Sequence, residues 1–502
     1  MGIVNALGGW YFKGRYKKIT SALQNCIKIQ DSLRQELIEQ NASTYFGRAH
    51  LFREIFDLKS FQKNIPIRTY EEFYPYIEQM IEGKQKVTWD SNINWFAKSS
   101  GTTNSKSKFI PISYENLENC HFEAGKDVLC IHYHRNPESK LFQGKGLLIG
   151  GSNQTNPLSK GSSYGDLSAV LMNEMPLWAN LAKTPDLSIA LMEDWDEKVI
   201  KMAEATIQDN VTSISGVPTW TIVLLRKVLE LSGKKTISEV WPNFELFVHG
   251  GISFEPYRET FLELIGHSNV SLLETYNASE GFFGLQLVQG ENMTLMPQYG
   301  IFYEFLNLEN GEIIDISKIE ENTNYELIIT TNSGLWRYRI GDTLLFTNKE
   351  KLQFVITGRT KHFINAFGEE LMVHNADEAL KTVCKNFNVS LIDYTAAPLQ
   401  NISKNEAIGT HEWLICIDKE ISNEDDFKAE LDSQLQKVNS DYEAKRKGNL
   451  AMSFPKITIV KQKVFENWLR SKNKLGGQHK VPRLSNDRKT LEDVKRVNNL
   501  ID

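Results

Sequence analysis

Residues 96–113 read FAKSSGTTNSKSKFIPIS, a run of serine, threonine, glycine and lysine set between two apolar stretches of strand character. Such a loop offers many backbone N–H groups and hydroxyls to an anion. Glycine lets the chain come close, and lysine adds charge. The same composition also suits a plain hairpin turn. The segment is not a Walker A loop, because GxxxxGK[ST] does not occur, and it lacks the GxGxxG turn of a dinucleotide fold. What surrounds the loop decides between these uses.

From about residue 93 onward, strand-like runs (INWFA, KFIPI, GLLIGG, TSISGV, ELFVHGG, SLLETY) alternate with helix candidates over 114–130, 195–209 and 219–231. This alternation predicts an α/β layered domain with a mainly parallel sheet. Residues 1–90 are mainly helical in pattern, with aromatic anchors such as Phe52, Phe61, Tyr70 and Phe73. After about 295 the strands crowd together, and TNSG at 331–334 supplies the Asn and Gly of a tight turn. An antiparallel, β-barrel-like subdomain is expected over 295–357. Helix–strand alternation then resumes, so the predicted organisation is a large domain over 1–361 and a small α+β lid over 362–502.

The bulk properties exclude several classes. The chain has 502 residues, 41% hydrophobic and 24% charged, which is ordinary globular composition with room for more than one domain. A formal net charge of -6 without a basic stripe argues against nucleic-acid binding. The five cysteines are scattered and form no CxxC, which favours a reducing, cytoplasmic setting over a disulfide framework. No stretch approaches the roughly 20 apolar residues of a membrane span.

Three later segments bear on the loop. ETYNASEGFFG places Tyr276, Ser279 and Glu280 just after a strand end, WRYRIGDTLLF places Asp342 after a hairpin strand, and FVITGRTKHFIN places Arg359 and Lys361 after another. Alone, each has a bland reading: a core tyrosine, a helix start, a solvated turn. Their order resembles the adenylate-forming superfamily of acyl-CoA synthetases, peptide-synthetase adenylation domains and luciferases. Within it the chain resembles the Gretchen Hagen family of acyl acid–amido synthetases, the auxin-responsive promoter family. The likeness runs through IPIRTYEEFYPYIEQMIEGK (65–84), the 96–113 loop, YNASEG, YRIGD, INAFGEEL and GGQHKVPR (476–483), over roughly residues 40–490. It implies a large α/β domain with a small C-terminal lid. The chain is more compact than the plant members, which points to a bacterial-type member.

The resemblance implies roles. Ser99, Ser100, Gly101, Thr102, Thr103 and Lys108 would cradle the β- and γ-phosphates of ATP. Tyr276 would stack near the adenine and Ser279 would sit by the α-phosphate. Glu280 would hold Mg2+, a hard cation that wants carboxylate oxygen. Asp342 would accept both ribose hydroxyls with support from Arg359. Lys361 matches the hinge position, and Lys480 matches the lid lysine that reaches the acyl carboxylate and α-phosphate. Val217, Pro218, Trp220 and Gly251 would border the acyl pocket. The chemistry implied is adenylation of a carboxylic acid by ATP, then capture of the acyl-AMP by an amine, in the family an amino acid. No side-chain nucleophile is required, so the cysteines are expected in the core. The loop departs from the plant pattern: TTNSKSK stands where Ser-Gln-Gly-Arg is usual, leaving one glycine.

Two further segments carry competing readings. CIHYH (130–134) reads as a strand with His132 and His134 on one face, the start of a metal site lacking a third ligand. YEAKRKGN (442–449) reads as an anion site or, more commonly, a solvated helix end. The competing functions are an acyl-CoA-type ligase and a degenerate adenylate-binding protein without turnover.

Overall fold

The computed structural model describes the chain except residues 1, 100–107, 151–155, 160, 177–178, 181, 193, 252–253, 268, 360–362, 365, 368, 370, 401–408, 447–451, 473–479 and 501–502. The chain divides into two compact units. The larger comprises Met1–Ile252 with Leu264–Val355, the smaller Ser253–Glu263 with Ile356–Asp502. The division thus falls before the expected boundary at residue 361, and the short 253–263 segment was not foreseen as part of the smaller unit.

In the larger unit, the helix Tyr70–Ile81 shows how local sequence sets an element. Thr69 accepts the N–H of Glu72, and the Glu72 carboxylate accepts the N–H of Thr69 at 2.8 Å, closing a capping box. Tyr70, Phe73, Ile77 and Met80 then recur at helical spacing and are buried. The preceding Arg68 pairs in parallel with Tyr338, which ties this helix to the sheet behind it.

That sheet has twelve described strands in the order Ile313–Asp315, Ile301–Asn307, Asn324–Thr331, Tyr338–Asn348, Gln353–Arg359, Met293–Leu295, Gly281–Leu285, Ser271–Ala278, Leu246–Gly250, Val211–Gly216, Lys145–Leu148, Lys183–Thr184. The last five are mutually parallel. The strands after 295 do form the antiparallel array expected. Met293–Leu295 pairs with Gln353 and Phe354 on one side and with Gly281–Leu285 on the other, so these strands and the parallel ones share one sheet. The 331–334 turn is as predicted, with Gly334 at φ +80° beside Thr88. A second sheet pairs Trp95–Ser99 with Lys108–Ile112 antiparallel and with Ser162–Gly165 in parallel.

The smaller unit packs the helices Val373–Asn386 and Glu424–Val438 around a sheet of Leu391–Gln400, Gly409–Ile417 and Lys456–Val460, the α+β arrangement expected. Its core, including Leu380, Tyr394, Trp413 and Leu431, is distinct from the core of the larger unit. No described helix is long and apolar enough to cross a membrane.

Candidate active site

Residues 96–113 are a β-hairpin at their stems, with Ser99 opposite Lys108. Ser100, Gly101, Thr102 and Thr103 lie outside the described residues, as does the Ser99 side chain. Lys108 opens the return strand, and its Nζ lies 5.3 Å from the ring centroid of Tyr70. The Tyr70 hydroxyl accepts the N–H of Phe109 at 2.8 Å. Burial pushes that hydroxyl up to about 12, and the Glu280 carboxylate pushes in the same direction. Tyr70 thus braces the start of the return strand and lies beside the loop lysine. It lies within the 65–84 segment that carries the resemblance, where its aromatic ring alone suggests only a core anchor.

The strand Ser271–Ala278 runs further than expected. Tyr276 lies within it, and only Ser279 and Glu280 form the tight turn to Gly281–Leu285, where Gly281 pairs with Ala278. Glu280 is buried and Ser279 half-buried. A π-helical turn, Leu117–Phe122, supports this hairpin: Cys120 Sγ accepts the N–H of Phe282 at 3.2 Å. The next residue, His121, is buried beside Asn277. Burial pulls its imidazole down to about 4, with the Asn277 side chain opposing. Nothing in the sequence marks His121.

Asp342 does not follow a hairpin strand; it sits inside Tyr338–Asn348, at a bulge. Glu326 faces Thr343 while Ile328 faces Arg339, so extra residues are accommodated around Gly341, whose φ is +88°. Such bulges re-aim side chains. Here the Asp342 carboxylate accepts a hydrogen bond from the hydroxyl of Tyr276. The Tyr276 ring is itself core, 6% exposed, 4.8 Å from Phe283 and 6.1 Å from Phe354 between centroids. Its hydroxyl orients the Asp342 carboxylate.

The acyl-pocket candidates fall at the C-terminal ends of neighbouring parallel strands. Val217 and Pro218 follow Val211–Gly216 and start the helix Pro218–Ser232, in which Trp220 is half-buried. Gly251, at φ +80°, follows Leu246–Gly250 and is exposed. Because Ser271–Ala278, Leu246–Gly250 and Val211–Gly216 are adjacent, the Ser279–Glu280 turn, Gly251 and Val217–Pro218 follow one another along a single sheet edge. Open α/β sheets bind ligands at that edge.

Other candidates lie elsewhere. Arg359 ends its strand rather than following it, and its side chain lies outside the described residues, as does the whole of Lys361. Lys480 is a half-buried residue of the smaller unit. His132 and His134 are helical, within Glu123–Arg135, not on a strand. His132 Nε2 meets Ser139 Oγ at 3.0 Å, that hydroxyl donates to Glu245 at 2.6 Å, and His134 stacks on Tyr16. In the 442–449 cluster, Arg446 is buried and forks onto Asp432 with both contacts at 2.8 Å, so it is structural. Cys120, Cys130, Cys384 and Cys416 are buried, which pushes each thiol up to about 12. Among the described residues no group of His, Cys, Asp or Glu is arranged to hold a metal by itself.

Comparison with known proteins follows the same order along the chain. The GH3 family N-terminal domain matches residues 15–270, the central domain 293–359 and the C-terminal domain 374–489. The chain is 23% identical to the 4-substituted benzoates-glutamate ligase GH3.12 of Arabidopsis thaliana over 96% of both chains. It is 23% identical to the jasmonoyl–L-amino acid synthetase JAR6 of Nicotiana attenuata, over 91% of this chain and 90% of that one. Its fold matches the solved GH3.15 acyl acid amido synthetase with a TM-score of 0.77 at 20% identity, over 95% of this chain and 94% of that one. A 2-hydroxyisobutyryl-CoA ligase in its postadenylation state matches at 0.61 and 12% identity, over 94% and 91%. Underneath the domain matches, then, lies the fold of adenylate-forming enzymes, and the chain belongs to the GH3 family.

Proposed function

We propose that the protein is an ATP-dependent acid–amino acid ligase, joining a small carboxylic acid to the amine of an amino acid through an acyl-AMP intermediate. The observation that carries this reading is the Asp342 carboxylate held by the buried Tyr276 hydroxyl, on the strand whose C-terminal turn presents Glu280 at the edge where open α/β sheets bind ligands. In the first step a carboxylate oxygen attacks the α-phosphorus of ATP, the bond to pyrophosphate breaks, and acyl-AMP forms. In the second the amine nitrogen attacks the acyl carbonyl, the bond to AMP breaks, and the amine gives up a proton.

The roles follow from charge. Ser99, Ser100, Gly101, Thr102 and Thr103 with Lys108 cradle the β- and γ-phosphates, and Ser279 sits by the α-phosphate. Asp342, oriented by Tyr276 and helped by Arg359, takes the ribose hydroxyls. Lys480 supplies charge to the carboxylate and α-phosphate as two anions are brought together. Lys361 is the hinge, and Val217, Pro218, Trp220 and Gly251 border the acyl group. Mg2+ commonly takes one or two carboxylates and fills its remaining positions with phosphate oxygens and water, so the single buried carboxylate of Glu280 fits it. When bound, the ion would neutralise phosphate charge.

The test is pyrophosphate exchange with a panel of carboxylic acids, followed by mass detection of products with mixed amino acids or CoA. Acid-dependent exchange and an amide product support the reading. A thioester without amide would make the protein an acyl-CoA-type ligase. Nucleotide binding without exchange for any acid would point to an adenylate-binding protein without turnover.

A further inference from the structure

We propose that Arg483 is a positioning residue for the adenylation step: anchored on Asp377 and Tyr394, it sets the register in which the segment carrying Lys480 lies on the strand Leu391–Gln400. This rests on the reading of Lys480 as the adenylation lysine.

The segment meets that strand through a parallel bridge. Ala396 N–H donates to Arg483 O at 2.7 Å and Ser485 N–H donates to Ala396 O at 3.1 Å, which pairs Leu484 with Ala396. On the side toward Lys480, Pro482 has no N–H to give. Its carbonyl accepts the Thr395 hydroxyl at 2.7 Å instead. The apolar residues do not choose a register here. Val481 and Leu484 are both buried, and a spacing of three puts them on opposite faces of an extended chain. A slip of one residue would turn every side chain to the other face, that of Lys480 included.

Arg483 supplies the missing specification. Its Nη1 donates to both oxygens of Asp377 at 2.6 Å, and its guanidinium lies 5.2 Å from the ring centroid of Tyr394. The Tyr394 hydroxyl donates to the same carboxylate at 2.7 Å. Asp377 stands on the helix Val373–Asn386 and Tyr394 on the strand itself, so one guanidinium ties the segment to both. Its Nη2 also lies 3.5 Å from the Tyr257 hydroxyl, which donates to Ile392 O at 3.0 Å. Both members of the ion pair are 11% exposed at the side chain. Moving the segment along the strand would strand a carboxylate and a guanidinium in buried surroundings, so one register satisfies the pair and its neighbours do not. Fixing a register is the best-attested use of a buried ionic group. Lys480 lies three residues before this anchor.

The experiment compares the wild-type protein with Arg483→Met, the paired variant Arg483→Met/Asp377→Asn, Lys480→Ala and Lys480→Ala/Arg483→Met. Arg483→Met strands the Asp377 carboxylate and the paired variant removes that charge, so stability and register come apart. In the paired variant the melting temperature should return close to the wild-type value. Adenylation, read as pyrophosphate exchange, should stay slowed by about a hundredfold, the scale of an ångström-sized misplacement of a reacting group. ATP affinity and amide formation from supplied acyl-AMP should be retained. Lys480→Ala/Arg483→Met should be no slower in pyrophosphate exchange than Lys480→Ala, because the arginine acts through the lysine. Deuterium uptake should quicken in the 480–488 peptide of the paired variant and stay unchanged over 409–417. Arg483→Lys, which keeps the charge without the planar fork, is a milder variant in which the same split between half-reactions must show. Pyrophosphate exchange that recovers together with the melting temperature, or unchanged deuterium uptake in the 480–488 peptide, overturns the proposal and leaves the lysine assignment intact. Full pyrophosphate exchange in Lys480→Ala overturns the lysine assignment instead, and the proposal with it.

Discussion

Asp342 has a carboxylate with a built-in orienting group, the hydroxyl of Tyr276, and both are buried. Asp342→Asn removes the charge and should weaken ATP by about 1.5–3 kcal/mol, the usual worth of a charged hydrogen bond. Tyr276→Phe should cost less, because it only releases the carboxylate. In both variants the preference for ATP over 2′-deoxy-ATP should shrink in competition assays; an equal loss for both nucleotides would give Asp342 a purely structural role. His121 offers a second test, through pH. Its folded-state pKa is depressed to about 4 by burial, so its contribution to stability is intact above the ordinary histidine range near 6.5 and is lost as pH falls toward 4. Relative to His121→Gln, the wild-type melting temperature should therefore fall more steeply between pH 6.5 and 4. Asp342 was legible because a short motif carries it. Tyr70 and His121 were not, because their roles come from partners distant in the chain, Lys108 and Phe109 for Tyr70 and Asn277 for His121.

At the scale of elements, the bulge around Gly341 sets the direction of Asp342. A φ of +88° strains any side chain with a Cβ. Gly341→Ala should cost on the order of 1–2 kcal/mol of stability and raise the ATP requirement as well, measurable by denaturant unfolding and ATP titration of the same preparation. A stability loss with unchanged ATP affinity would detach the bulge from nucleotide binding. Most strands could be found from their apolar runs and turn residues. Over 130–134 the sequence of the Glu123–Arg135 helix reads as a strand for a physical reason: Cys130, Ile131, His132 and Tyr133 are all buried, so the helix shows no polar face there and its periodicity vanishes. The single sheet was hidden for another reason. The short strand Met293–Leu295 joins it to Gln353 and Phe354, a pairing across a long sequence separation that no local pattern encodes.

At the scale of the molecule, a buried cation ties the sheet of the larger unit to one of its N-terminal helices. Arg337, at φ +43° and 4% exposed, forks onto Glu304 at 2.8 and 2.9 Å and donates to the carbonyls of Gln62 and Ile65 at 2.9 and 2.8 Å. It thus joins the strand Ile301–Asn307, the start of Tyr338–Asn348 and the end of the helix Leu58–Asn64. Removing one partner of a buried pair leaves the other charge stranded, which typically costs about 3–5 kcal/mol. Arg337→Met should destabilise the larger unit by that order, and adding Glu304→Gln should recover part of the loss by removing the stranded charge. The separate core of the smaller unit, around Tyr394 and Trp413, makes the effect selective. Hydrogen exchange followed by mass spectrometry should show faster exchange in the strands Ile301–Asn307 and Asn324–Thr331, with protection of Leu391–Gln400 and Gly409–Ile417 unchanged. Equal loss of protection in both sets would mean that the two cores unfold as one cooperative body, and the division into units would then describe contacts without describing stability.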